Sequence, residues 1–483
     1  MGQNIKQKRR LLAIWRYILE RTKKNRELKL PARASLFYVG SGILVKLLGV
    51  MTTPIFTRVL SEEEYGKFTF YMSFVAIVFG IGTTLFSPAV IYKGLQEFDT
   101  KRDEYIKAVL YSILTVLGVV CLLLFTFSDF LGLARSLVLF LFLQLMSDFV
   151  THVYESERRY QYEYMTVVKI NVTKAVLAPT ISLILLFSTD LGHYSRISGI
   201  LIASLALAIP LLFSILRSTA RVSSGNLFGY IRKNSLPLIP LALSSAVSGG
   251  VDKIIMNRFL GAAAVAKYSV ACTVGIGLSF LSGSLSSALS PWVMRKLANH
   301  SSEVVRGIGH VIFRGICGAA LFVIALAPEA LEFLAPNRYS EAIFAVLPIA
   351  ISILPSFLYT YSNIGLIYRE RAGATSVGAL LALAVNVALN LLLIPKLSYI
   401  GGGIALLASS SVMTTVNLIF LSRCGLSSMI DIKKSARTLV FTALFAVGIV
   451  LIYEYAFFKY LLLSVPAIMI LSSFFETKKY VLE

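Results

Sequence analysis

Five basic residues lie inside long apolar stretches of the sequence, where a charge is unfavourable. They are Lys46, Lys169, Lys174, Lys253 and Arg314. An ionisable side chain at the centre of a bilayer costs at least about 2.5–3.5 kcal/mol on insertion scales, so it normally faces a cavity or a charged partner. The acidic residues at comparable depth are Asp252 and Asp148. This excess of cations predicts a cavity for an anionic solute, and phosphate is the natural candidate because lysine and arginine bind it well.

Lys46 is the clearest of the five because it lies midway along the first apolar stretch, which contains no acidic residue. Small and polar residues recur with it at steps of three and four, which places them on one face of a helix. They are Ser35, Tyr38, Gly42, Gly49, Thr53 and Thr57. Two interpretations are open: a lysine that faces a cavity, or a lysine that pairs with an acid where helices pack closely through glycines. We favour the cavity.

The lysines of the fifth apolar stretch have possible partners nearby. Lys169 lies near one end of the stretch, so its side chain can extend to the membrane surface, whereas Lys174 lies deeper. Asp148, His152 and Glu155 share one face of the preceding stretch. These acids either pair with the two lysines or take part in function, and both interpretations stay open.

Two other stretches contain charges. Asp252 and Lys253 are adjacent, so their side chains point about 100° apart on a helix and cannot simply neutralise each other. Arg314 lies one helical turn from His310. Lys253 and Arg314 are therefore further candidates for contact with an anion. Asp252, and more weakly Asp148, are candidates for binding a coupling proton or sodium ion.

The sequence lacks the motifs of several enzyme classes. It contains no GxxxxGK[ST] segment for nucleotide phosphates and no HExxH zinc motif. Its four cysteines are not spaced as zinc ligands. No loop on the predicted outer side exceeds about 14 residues, which argues against a membrane glycosyl polymerase or ligase. We therefore expect a transporter rather than an enzyme, without a cofactor or metal, driven at most by a proton or sodium gradient.

The composition indicates which elements hold these residues. Of 483 residues, 57% are hydrophobic and 15% are charged, whereas soluble proteins contain about 25% charged residues. Fourteen apolar stretches are each long enough to cross about 30 Å of hydrocarbon as a helix. They cover residues 34–57, 68–92, 105–127, 134–154, 163–187, 197–216, 235–257, 268–291, 304–327, 341–367, 374–394, 401–421, 438–453 and 460–475. The sequence thus predicts an all-α polytopic membrane protein with about 14 transmembrane helices.

The distribution of charge predicts the orientation. Fourteen spans place both chain ends on the same side of the membrane. Of the 46 lysine and arginine residues, 32 fall on that side, nine on the other and five inside the spans. The positive-inside rule therefore predicts that both ends are cytoplasmic. Most of the net charge of +21 reflects this topology, so we do not expect a nucleic-acid partner.

An internal repeat divides the chain. Arg58-Val59-Leu60 recurs as Arg258-Phe259-Leu260, and Gly66-Lys67-Phe68 recurs as Ala266-Lys267-Tyr268 at the same offset of 200. Two six-span halves of equal orientation follow from this offset, as in parallel-repeat transporters. The predicted units are a basic amphipathic head (1–33), an N-lobe (34–216), a linker (217–234), a C-lobe (235–421) and a segment with the last two spans (422–483).

Residues 54–66, PIFTRVLSEEEYG, resemble the end of the first span and the first outer loop of Wzx-type O-antigen and polysaccharide flippases. These proteins form the polysaccharide transporter branch of the multidrug/oligosaccharidyl-lipid/polysaccharide exporter superfamily. The resemblance implies two six-helix lobes in a V shape, here with two extra C-terminal helices. It also implies alternating access in the bacterial cytoplasmic membrane.

The resemblance further implies the substrate, a polyprenyl (undecaprenyl) diphosphate-linked oligosaccharide that moves from the cytoplasmic to the periplasmic or outer leaflet. Membrane lipid, a polymerase and a chain-length regulator of lipopolysaccharide or other surface polysaccharide synthesis are the implied partners. The extra helix pair also resembles lipid II flippases of the same superfamily. A lipid II flippase and a cation-coupled multidrug exporter are therefore the alternatives.

Overall fold

The computed structural model describes residues 37, 40–217 and 225–482. The predicted head at residues 1–33 and residues 218–224 of the predicted linker lie outside this part of the chain. Thirteen of the described helices are long and apolar enough to cross a membrane. The prediction of an all-α, multi-pass membrane protein is confirmed.

The first half of the chain contains six membrane-spanning units connected by short turns. The second unit's main helix ends at Leu85, and a new helix starts at Pro88 after the N-cap Ser87; the first position suits proline because its missing N–H is not needed there. The helices are α1 (Gly40–Val59), α2 (Glu62–Leu85), α3 (Pro88–Glu97), α4 (Arg102–Thr126), α5 (Ser128–Leu131), α6 (Arg135–Tyr160), α7 (Tyr164–Ser188) and α8 (His193–Leu216).

The second half repeats this pattern after a connecting helix, and a final group of helices packs against it. The connecting helix is α9 (Gly225–Ser235). The second half consists of α10 (Ile239–Gly249), α11 (Val251–Leu260), α12 (Ala262–Ala298), α13 (Ser302–Ala325), α14 (Ala327–Leu334), α15 (Ile343–Tyr368), α16 (Ala372–Leu397) and α17 (Tyr399–Arg423). The appended helices are α18 (Ile432–Leu451), α19 (Ala456–Leu462) and α20 (Ser464–Leu482), and α18 and α20 both pack on α13.

The seventh predicted span, residues 235–257, is not one continuous helix. It is divided into α10 and α11 at Gly250, whose φ of +100° is available to glycine but not favourable for other residues. Neither segment is long enough to cross a membrane alone, which is why thirteen rather than fourteen single helices qualify. Hydropathy cannot predict this break, because an apolar stretch carries no signal for a left-handed backbone residue.

The two halves join at one end of the bundle. This predicted outer end holds residues 60–61, 261 and 335–342, and the predicted inner end holds residues 98–101, 299–301 and 369–371. One buried apolar cluster crosses between the halves at the predicted outer end; it includes Phe56, Leu60, Tyr65, Leu331, Leu334 and Tyr339. A second cluster fills the rest of the second half and includes no described residue of the first. The halves thus share a core at the predicted outer end, and α10 of the second half also packs on α2 of the first.

Candidate functional site

Lys46 lies on α1 and contacts the other half of the protein. Its Nζ atom is 4.4 Å from the ring centre of Phe280 on α12, a cation–π distance. Gly42, one turn earlier, also faces this ring: a Cβ added there would lie 3.8 Å from it. Lys46 is exposed, and within the part of the chain that the structure describes it forms no ion pair. An anion could therefore reach this cation between the halves.

Asp252 and Lys253 lie at the start of α11, directly after the break. Asp252 is buried and accepts a hydrogen bond from the Tyr268 hydroxyl of α12 at 2.5 Å. Its other oxygen accepts the Lys253 backbone N–H at 2.9 Å. Negative charge is favourable at a helix N-terminus, where backbone N–H groups are unpaired. Lys253 is half-buried and forms no side-chain ion pair with any described residue.

Lys174 and Asp148 form an ion pair between α7 and α6. This is the pairing that the sequence left open as an alternative to a free cation, and it links two helices of the same half. Lys169, one and a half turns earlier, is exposed and makes no ion pair within the described residues. Within the described residues, Lys174 therefore pairs inside the first half rather than across the two halves.

Arg314 faces the appended helices. One of its guanidinium nitrogens lies 2.7 Å from Glu476 Oε1, and its Nε donates to Ser473 Oγ at 3.4 Å. Both partners belong to α20, which continues as a helix beyond residue 475, where the predicted span ends. Sequence reasoning missed Glu476 as a partner, because this residue follows the last predicted span, which ends at residue 475.

A cavity of about 500 Å³ lies among α10, α15, α16 and α17, and Thr84 of α2 contacts it from the first half. Its lining surface is more apolar than polar, and no described lining residue is charged. Seven of its lining residues carry hydroxyl groups: Thr84, Ser244, Ser356, Tyr359, Thr360, Ser409 and Ser410. Most of these hydroxyls donate to backbone carbonyls of their own helices, as Thr84 does to Gly80 at 2.8 Å. Their oxygens stay available as acceptors, which suits a neutral ligand rich in O–H donors.

Hydrogen bonds between the halves close the predicted outer end. Arg338 donates to the carbonyls of Thr57 and Leu60 at 2.7 and 2.6 Å. The Thr57 hydroxyl donates to the Leu334 carbonyl at 2.7 Å. Arg58 donates to the carbonyls of residues 333 and 332 at 3.1 and 3.3 Å. We call this set, Thr57, Arg58, Arg338 and their carbonyl partners, the outer latch.

The sequence held one signal for the outer latch. Arg58 belongs to the internal repeat and to the segment 54–66 that resembles flippases. Its carbonyl partners lie more than 270 residues away, and neither pattern predicts them. Gly66 of the same motif lies so close to the start of α12 that a Cβ there would fall 1.8 Å from the Ala262 carbonyl oxygen. A glycine is therefore required at this contact between the halves.

A family model described as polysaccharide biosynthesis protein matches residues 32–296, which is more than half of the chain. No curated protein matches the sequence. Among solved structures, the lipid II flippase MurJ in an inward closed conformation is similar, with 14% identity, a TM-score of 0.69 and coverage of 93% of this chain and 100% of that one.

Multidrug resistance MATE family transporters of the MOP superfamily share the fold as well. An inward-facing one has 13% identity and a TM-score of 0.62 over 80% of this chain and 95% of its own. An outward-facing one has 15% identity and a TM-score of 0.57, and the match covers 83% of this chain and 96% of that one. At these identities the likeness shows the fold alone.

Proposed function

Because the chain belongs to the polysaccharide biosynthesis protein family, we propose that it is a flippase for a polyprenyl-diphosphate-linked oligosaccharide. It takes this lipid from the cytoplasmic leaflet of a bacterial inner membrane and delivers it to the periplasmic or outer leaflet. The observation that carries the proposal is Lys46, which has no carboxylate partner among the described residues and contacts Phe280 across the two halves. O-antigen or another surface polysaccharide is the product that such a substrate would supply.

The diphosphate binds near Lys46 in this proposal. A phosphate oxygen that replaces the weak ring contact gains a charge-assisted hydrogen bond, which is about twice as strong as a neutral one. Lys253, half-buried at the break between α10 and α11, supplies a second positive charge. Lys174 and Arg314 already have carboxylate partners, so we assign them to helix packing rather than to the substrate.

The sugars occupy the hydroxyl-lined cavity. Its volume of about 500 Å³ lies within the range of about 300–1,000 Å³ that is usual for ligand pockets. Sugar hydroxyls can donate to the acceptor oxygens of Ser356, Thr360 and Ser410, whereas a diphosphate would meet no cation there. The lipid chain stays in the bilayer along apolar helix surfaces, of which the appended pair provides one, with Leu444 and Phe474 69% and 67% exposed.

Alternating access moves the substrate. The outer latch holds the predicted outer end closed, so the described state receives substrate from the cytoplasmic leaflet. Asp252 is the residue that we propose to bind a coupling proton or sodium ion, because it is buried beside the break in the seventh span. Asp148 is a weaker choice, since its carboxylate is already paired with Lys174.

The test measures lipid-linked oligosaccharide in each leaflet of a deletion strain that carries plasmid-borne variants. We expect Lys46→Ala to leave the oligosaccharide in the cytoplasmic leaflet at a normal protein level, and Lys46→Arg to restore delivery. Lys93→Ala removes an exposed lysine outside the cleft and serves as the matched control. Full delivery by Lys46→Ala would remove this residue from the mechanism.

Purified protein in vesicles separates the substrate classes. Translocation of the oligosaccharide diphosphate lipid but not of lipid II is the expected result. Transport of lipid II alone, or of small organic cations alone, would replace the proposal by the lipid II flippase or the multidrug exporter.

A further inference from the structure

We propose that three arginines at the predicted inner end of the second half bind the phosphate headgroup of an anionic phospholipid in the cytoplasmic leaflet. Arg369 and Arg371 lie in the connection between α15 and α16, and Arg423 ends α17. All three line one open cavity of about 810 Å³. The site is separate from the cleft and does not depend on the transported substrate.

The fold holds these arginines together without neutralising them. The backbone N–H of Arg369 donates to the Gly365 carbonyl at 3.1 Å, and that of Arg371 donates to the Leu366 carbonyl at 2.9 Å, so the connection is fixed on the end of α15. None of the three forms an ion pair within the described residues. Glu370 lines the same cavity and forms no ion pair within the described residues, so the cavity keeps an excess of two positive charges. These guanidinium groups repel each other, and a bound anion offsets that repulsion.

The cavity lies on the face of α16 opposite to the hydroxyl-lined cavity. Gly373 and Val377 of α16 line it, whereas Ala379 and Ala382 of the same helix line the hydroxyl-lined cavity. Gly373 and Ala382 are nine residues apart, or two and a half helical turns. They therefore lie on opposite faces of α16. Val377 and Leu381 lie on the same side of α16 as Gly373, and their side chains are 46% and 48% exposed.

These features together define the ligand. The guanidinium groups can bind a phosphate through paired hydrogen bonds. Val377 and Leu381 continue from the cavity towards the membrane and can contact an acyl chain. The cytoplasmic leaflet is rich in anionic lipids and attracts basic residues at its surface. A phospholipid with a negative headgroup satisfies both the charged and the apolar part of the site.

The experiment uses the full chain, delipidated in detergent, and measures binding by native mass spectrometry with phosphatidylglycerol, phosphatidylcholine, polyprenyl diphosphate or inorganic phosphate. Each arginine contributes about a fivefold gain in affinity for an anionic surface. We therefore expect the triple variant Arg369→Gln, Arg371→Gln, Arg423→Gln to bind phosphatidylglycerol at least about thirtyfold more weakly than the unmodified chain. Phosphatidylcholine should bind poorly to both.

The matched control removes the same charge elsewhere on the predicted cytoplasmic side. The triple variant Arg232→Gln, Lys233→Gln, Lys433→Gln alters exposed residues and should leave binding within about twofold. The variant with lysine at all three arginine positions keeps the charge and loses the paired geometry, so it should bind several-fold more weakly even if the glutamine variant does not fold.

Cys424 gives a second measurement because it lines the same cavity and is half-buried. Phosphatidylglycerol should slow its reaction with a maleimide, as quantified by peptide mapping. Equal binding by the glutamine and control variants overturns the proposal. Protection by inorganic phosphate or polyprenyl diphosphate at equal concentration overturns the assignment to a phospholipid.

Discussion

Arg338→Ala should open the predicted outer end. The substitution removes two hydrogen bonds, of 2.7 and 2.6 Å, that Arg338 makes with carbonyls of the other half. Hydrogen bonds from a charged donor contribute about 1.5–3 kcal/mol when buried, and for this exposed side chain we take about 1 kcal/mol each. A loss of about 2 kcal/mol shifts the ratio of closed to open states about thirtyfold, so a population of 1% open rises to about a quarter.

Spin labels at Val59→Cys and Phe333→Cys measure this shift by pulsed electron resonance in lipid nanodiscs. Both side chains are exposed, 47% and 54%, and they lie on opposite halves beside the outer latch. Serine replaces the native cysteines in this background. The parent protein should give one short distance, and Arg338→Ala should add a longer one.

Two further variants calibrate the result. Thr57→Val removes a single bond of 2.7 Å between the halves and should shift the distances less than Arg338→Ala. Arg135→Ala removes an arginine at the same end whose partner, Asp129 at 2.7 Å, lies in the same half. It should leave the distances unchanged. An identical distribution in Arg338→Ala and Arg135→Ala would refute the interpretation of these bonds as a latch.

The break in the seventh span leads to two other expected results. Asp252→Asn removes the buried charge and keeps an acceptor for Tyr268, so transport in vesicles should lose its response to a collapsed proton or sodium gradient. Tyr268→Phe serves as the control and should keep that response. An unchanged response in Asp252→Asn would contradict a coupling role. Gly250→Ala forces a side chain onto a φ of +100° and should lower Tm by about 1–2 °C, whereas Gly448→Ala, in a helix with open space around it, should not lower it.

The sequence predicts the spans well because hydropathy and charge placement act locally along the chain. The polar stripe around Lys46 leaves open whether this lysine faces a cavity or an acid, and within the described residues it contacts Phe280. Its contact with Phe280, 234 positions away, depends on how the halves meet and leaves no local signal. The same holds for Arg314 and Glu476, whose pairing requires α20 to continue past the apolar stretch.

The partners of the charges inside the membrane separate packing from ligand binding. Lys174 pairs with Asp148 inside the first half, and Arg314 pairs with Glu476 between the second half and the appended helices. A rocking motion of the two halves leaves both pairs intact, because neither pair joins one half to the other. Lys46 differs, since its aromatic contact crosses the halves and must change when they separate. A cation whose surroundings alter with the conformation can bind an anion on one side of the membrane and release it on the other, which is the property that alternating access requires.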